Sequence, residues 1–113
     1  MAFDSLDATF VALADPTRRA ILARLSSGEV SVMDLAQPFA MSQPAISKHL
    51  KVLEQAGLVS RGRDGKRRPV RAEAKPLKEA TLWLENYIAA MEGQYRRLDA
   101  LLETMKAAHG GTE

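Results

Sequence analysis

Gln43, Ser47, Lys48 and Lys51 fall on one face of a helix whose other face carries Ile46, Leu50 and Leu53. An amide, a hydroxyl and two ammoniums are the groups that base edges and phosphate oxygens require opposite them. No carboxylate interrupts that face before Glu54. The chemistry implied is recognition, with the helix acting as a probe for the major groove of double-stranded DNA. Ser42 suits the N-cap, and Pro44 suits the first turn, where a missing N–H costs nothing. Ser42 and Pro44 therefore join the expected DNA face. Gln43 is the expected base reader, since its amide matches adenine. Ser42 is placed to touch phosphate as well as cap the helix, because a helix N-terminus favours anions. Ser47 and Lys48 point towards bases or backbone, and Lys51, one turn farther on, towards phosphate. His49 lies close to the apolar face, so DNA contact and packing are both open to it.

A second group of cations follows. Residues 61–75 hold Arg61, Arg63, Lys66, Arg67, Arg68, Arg71 and Lys75 against Asp64 and Glu73, in a chain whose net charge is only +2. Positive charge concentrated on a slightly acidic body is an electrostatic footprint for nucleic acid. Asp64-Gly65 is a two-residue hairpin signal. It predicts Val59 opposite Val70, Arg61 opposite Arg68 and Arg63 opposite Lys66. Like charges paired across strands repel, and phosphate would relieve them. Arg63, Lys66, Arg67 and Arg68 are thus the expected wing tip, anchoring phosphates or entering the minor groove. The alternative is a solvated loop whose cations block edge pairing. Pro69 cannot donate to a ladder, so its strand is expected to be an edge or to end early.

The elements that position these groups are short and helical. Phe3, Leu6, Phe10 and Leu13 mark a first helix. Asp15-Pro16 caps a second, whose expected buried stripe is Ile21, Leu22 and Leu25. Arg18 and Arg19 on that helix contact the DNA backbone or line a solvated face. Ser31-Val32-Met33-Asp34 opens a third helix in capping-box form, with Asp in place of Glu, which must stop before Pro38. Two short helices joined by a few residues, the second polar outside, make a helix-turn-helix. Gly57 terminates the probe helix.

After Pro76, Leu77, Leu84, Met91, Leu98 and Met105 recur every seven residues. Ala80, Tyr87 and Leu101 sit three positions on, and Thr81, Ile88, Tyr95 and Leu102 four on. The stripe is ~43 Å of helix, against a radius of gyration of ~13 Å for a compact body of this size. A second copy of the chain is the economical cover; the alternative is a long helix packed along its own domain and frayed beyond Leu98. Leu6, Phe10, Leu84, Tyr87, Ile88, Met91, Tyr95, Leu98 and Leu102 are the expected dimer interface. Trp83 and Tyr87, one turn apart, are read as packing residues, with a ligand pocket at the dimer interface as the alternative.

One domain is expected over residues 1–106, with a flexible tail over 107–113. The absence of cysteine removes thiolate nucleophiles, thiolate metal sites and disulfides. No Gly-rich phosphate loop or metal cluster is visible, so no enzyme, cofactor or metal is expected. With neither a signal peptide nor an apolar run of spanning length, the expected location is the cytoplasm, with no membrane partner.

Four strings together resemble the ArsR family of bacterial repressors. They are Leu13-Ala14-Asp15-Pro16-Thr17-Arg18-Arg19-Ala20-Ile21-Leu22, Leu35-Ala36, Met41-Ser42-Gln43-Pro44-Ala45-Ile46-Ser47-Lys48-His49-Leu50-Lys51-Val52-Leu53 and Ala56-Gly57-Leu58-Val59. The resemblance covers nearly the whole chain. It implies a mostly α winged helix-turn-helix, with a two-stranded β-hairpin wing and a long C-terminal dimerisation helix. It also implies a homodimer that binds an inverted repeat and represses transcription. Metal-sensing members carry Cys-x-Cys in the third helix, where this chain has Ser31-Val32-Met33-Asp34-Leu35. Others use Asp and His on the last helix, which here has no histidine between Leu77 and Met105. The chain looks more like the metal-independent branch, in which Trp83, Tyr87 and Arg97-Leu98-Asp99 recur. An inducer, small molecule or protein, is not specified by the sequence. The rival reading is a winged-helix protein-interaction module that no longer binds DNA.

Overall fold

The computed structural model describes residues 5–62 and 68–110. The chain divides into two units, residues 1–80 and 81–113. The first holds α1 (Ser5–Leu13), α2 (Pro16–Leu25), β1 (Val30–Ser31), α3 (Val32–Ala36), α4 (Gln43–Gln55), β2 (Val59–Arg61), β3 (Pro69–Ala72) and the start of α5 (Lys75–Gly110).

α1 buries Thr9 and Ala12 rather than Phe10, which stays 37% exposed, while Leu6 and Leu13 are half-buried. The Thr9 hydroxyl donates to the Ser5 carbonyl at 3.0 Å, so a buried polar group is satisfied inside its own helix. α2 starts as its sequence demands. The Asp15 carboxylate accepts the Arg18 N–H at 3.0 Å, and Pro16 takes a first-turn position. Ile21 and Leu25 are buried and Leu22 half-buried. α3 is capped by Ser31, whose hydroxyl accepts the Asp34 N–H at 3.2 Å.

These helices enclose one core. Ile21, Leu35, Ile46, Leu50, Leu53, Leu58 and Val70 are all fully buried there. α4 ends in a Schellman motif, with Gly57 N–H donating to the Glu54 carbonyl at 3.0 Å and Leu58 N–H to the Leu53 carbonyl at 2.9 Å. Gly57 has φ +77°, which a side chain rarely adopts, and this turn sends Leu58 back into the core beside Leu53.

The wing is the expected hairpin of β2 and β3, and β1 extends it into a three-stranded antiparallel sheet, ordered β1-β3-β2. It departs from its expected form in two ways. The register is Val59 opposite Ala72, Ser60 opposite Arg71 and Arg61 opposite Val70, two residues away from the expected pairing. Val70 points inward in either register, so the buried pattern could not choose between them. The observed one lets Glu73 N–H close on the Leu58 carbonyl at 2.8 Å and sets Arg61 opposite Val70 instead of Arg68. The expected Arg63–Lys66 pair lies outside the described residues. Finally, Pro69 stands on the central strand rather than at an edge. It is that strand's first residue, opposite Ser31, and its carbonyl accepts the Gly62 N–H at 2.9 Å. At a strand's start its missing donor interrupts little. Arg68, just before it, has φ 46°, a left-handed conformation uncommon for a non-glycine.

The second unit is the remainder of α5, which runs 36 residues in all, ~54 Å. The helix continues to Gly110 with no break at residue 106.

Candidate nucleic-acid interface

α4 is held at its N-terminus by Ser42, whose hydroxyl accepts the Ala45 N–H at 3.3 Å and whose carbonyl accepts the Ile46 N–H at 3.1 Å. Ile46, Leu50 and Leu53 are fully buried. Gln43, Pro44, Lys48 and Lys51 are exposed, and Ser47 is half-buried. The helix therefore splits as its periodicity requires, with an exposed amide and two exposed ammonium side chains outward and α3 packed against it. Glu54 is the first carboxylate on α4, and it lies near the wing. Its Oε2 stands 3.8 Å from Nε of Arg61. That Nε is buried and has no hydrogen-bond partner among the described residues. Glu54, Arg61, Gly62 and Arg68 line a cleft of about 290 Å³ between the end of α4 and the wing. Arg68 is exposed, whereas Arg63, Lys66 and Arg67 lie outside the described residues.

Arg18 and Arg19 have a role the sequence did not reveal. Arg18 Nε donates to the Ala12 carbonyl at 2.7 Å, and its Nη2 to the Val11 carbonyl at 3.0 Å. Arg19 Nη1 donates to the Leu13 carbonyl at 2.7 Å. Both guanidiniums thus cap the last turn of α1, where carbonyls run short of intrahelical donors and only the Ala14 N–H reaches Val11. Arg18 Nη1 also reaches Nδ1 of His49 on α4 at 3.3 Å, and Asp15 Oδ2 lies 3.8 Å from the same nitrogen. The Asp15 carboxyl is held below its ordinary value, chiefly by the Arg18 N–H. Burial opposes that shift, and the charge of His49 whenever its ring is protonated, together with that of Arg18, adds to it. The only sequence signal for this cluster was the Asp-Pro-Thr-Arg string. Nothing in it pointed to a histidine thirty-one residues on from Arg18.

On α5, Leu84, Tyr87, Ile88, Met91, Tyr95, Leu98 and Leu102 are between 40% and 63% exposed. Trp83 and Tyr87 stack with ring centroids 5.6 Å apart and planes 10° from parallel. Tyr87, Met91, Gln94, Tyr95 and Leu98 line a concavity of about 450 Å³. Among the described residues no three His, Cys, Asp or Glu side chains are grouped to hold a metal ion. Among them, too, no helix is long and apolar enough to cross a membrane.

A capped helix pair followed by a β-hairpin, the second helix polar outside, defines a winged helix-turn-helix regulator. Residues 15–61 match the family model described as bacterial regulatory protein, arsR family. The chain is 38% identical over 79 residues to the transcriptional repressor SdpR of Bacillus subtilis, covering 70% of this chain and 88% of that one. An ArsR-like transcriptional regulator from Rhodococcus superposes with a TM-score of 0.81 at 31% identity, over 88% of this chain and 92% of the other. The homodimeric winged helix-turn-helix DNA-binding domain of Mb0332 from Mycobacterium bovis superposes with a TM-score of 0.61 at 30% identity, over 80% of this chain and 82% of that one. The chain belongs to the arsR family of bacterial regulatory proteins and is a transcriptional regulator; its relatives are regulators rather than enzymes.

Proposed function

We propose that two copies of this chain, paired along α5 and α1, set their α4 helices in successive major grooves of an inverted-repeat operator and so repress transcription in the cytoplasm. The observation that carries this reading is the outward face of α4, where Gln43, Lys48 and Lys51 are exposed with no acid before Glu54. In this reading Gln43 reads a base, Ser47 and Lys48 reach bases or backbone, and Ser42, Pro44 and Lys51 lie along the phosphates. Arg68 and its neighbours Arg63, Lys66 and Arg67 anchor the flanking backbone. Pairing is supported by the half-exposed stripe from Leu84 to Leu102 and, on α1, by Phe10, which is exposed, and Leu6, which is half-buried. The homodimeric state of the Mycobacterium bovis relative supports it as well.

A protein-interaction module that has lost DNA is the weaker reading, since such a module has no use for an acid-free cationic face. Fluorescence anisotropy on operator and random duplex separates the two. Gln43→Ala is expected to weaken operator binding by ~1–3 kcal/mol and spare random DNA. Affinity is expected to fall with salt at a slope of about −0.9 per phosphate neutralised. A flat salt response, or equal loss on both duplexes, contradicts the assignment.

A further inference from the structure

We propose that Arg18 is a positioning residue for DNA reading, fixing the rotation of α4 through Nδ1 of His49. The inference rests on α4 being the reading helix. Two of the three guanidinium nitrogens of Arg18 are committed to the Val11 and Ala12 carbonyls, so the side chain is anchored on α1 before it meets α4. Its third nitrogen lies 3.3 Å from His49 Nδ1. Arginine only donates, so in this contact Nδ1 is the acceptor. Asp15 at 3.8 Å is beyond hydrogen-bond reach of that nitrogen and contributes charge alone.

The apolar side of α4 does not do this work. Burial of Ile46, Leu50 and Leu53 sets how deep the helix lies, but hydrophobic contact is non-directional and tolerates a small turn about the axis. A hydrogen bond is directional. His49 is adjacent to Lys48 and two residues from Lys51, so a turn that breaks its contact also swings the cationic face. Base reading needs that angle, whereas phosphate attraction does not. The expected signature is therefore loss of specificity without loss of nonspecific affinity. The same bridge joins the last turn of α1, which carries part of the proposed pairing face, to α4.

Two substitutions at His49 isolate the effect. In His49→Asn the side-chain oxygen stands close to the former Nδ1 and keeps the acceptor; in His49→Gln it stands near the former Nε2 and loses it. Helix propensity favours Gln over Asn, so a purely structural role predicts the opposite order. On operator DNA, His49→Asn is expected within about twofold of the native chain and His49→Gln about tenfold weaker, with random DNA bound equally by all three. Nitrogen-15 spectra of the native imidazole are expected to show Nδ1 unprotonated at neutral pH. His49→Gln binding operator as well as His49→Asn, equal losses on random DNA, or a protonated Nδ1 overturns the proposal. A native chain that ignores DNA sinks the proposed function instead, and the imidazole spectrum still reports on the Arg18–His49 bond.

Discussion

Met91→Glu probes the proposed pairing surface at its centre. Met91 lies between Leu84 and Leu98 in the seven-residue repeat and is 40% exposed in the single chain. Fully burying a large apolar side chain contributes ~1.5–3 kcal/mol, so covering the half-exposed remainder adds ~1 kcal/mol per residue. The seven α5 residues from Leu84 to Leu102 occur twice in a dimer and contribute ~14 kcal/mol before losses. Association costs at least ~4 kcal/mol in lost translation and rotation, which leaves at most ~10 kcal/mol, or sub-micromolar pairing. A symmetric interface receives the substitution twice. Each copy loses ~1 kcal/mol of burial and adds the desolvation of a carboxylate, which exceeds that loss. The expected total is at least ~4 kcal/mol, a weakening of about a thousandfold. Sedimentation equilibrium at micromolar chain should show native dimer and Met91→Glu monomer, with unchanged helical circular dichroism. Arg96→Glu is the control, since that side chain is 81% exposed and its contact with Glu92 is an ordinary i,i+4 pair. A Met91→Glu chain that still sediments as two copies refutes the assignment of this stripe to pairing.

Leu50→Ala should destabilise the chain by ~2–5 kcal/mol in chemical denaturation, because Leu50 is fully buried where α4 meets the core; a change under ~1 kcal/mol contradicts its place there. Asp15 sets an acid limit. Its folded-state value lies below the unfolded one, so its contribution is present above the ordinary carboxylate range and is lost as pH falls through the folded value. The melting temperature of the native chain should therefore drop more between about pH 5 and pH 3 than that of Asp15→Asn, which keeps a capping side chain but does not titrate. Equal acid slopes for the two proteins contradict that linkage.

What was legible in the sequence was local. The capping residues Asp15, Ser31 and Ser42 sit beside the N–H groups they satisfy, and Ile46, Leu50 and Leu53 announce their burial by spacing alone. The wing register was not legible, because both registers send Val70 inward and the choice falls to the Glu73–Leu58 bond. β1 is two residues long, too short for any period, and it places Pro69 on a central strand. The Arg18–His49 bridge joins helices far apart in the chain, and no periodicity encodes such a meeting. Of the expected wing-tip cations, Arg68 is exposed, with the left-handed turn at that residue an unforeseen feature.

Selection of bound sequences from random duplex DNA by the purified chain tests whether paired α4 helices read an operator. The expected product is an inverted repeat with half-site centres about 10–10.5 base pairs apart, or a multiple of that spacing, matching one helical turn between two reading helices. Recovery of an unpaired site, or of no enriched sequence at low salt, contradicts the account.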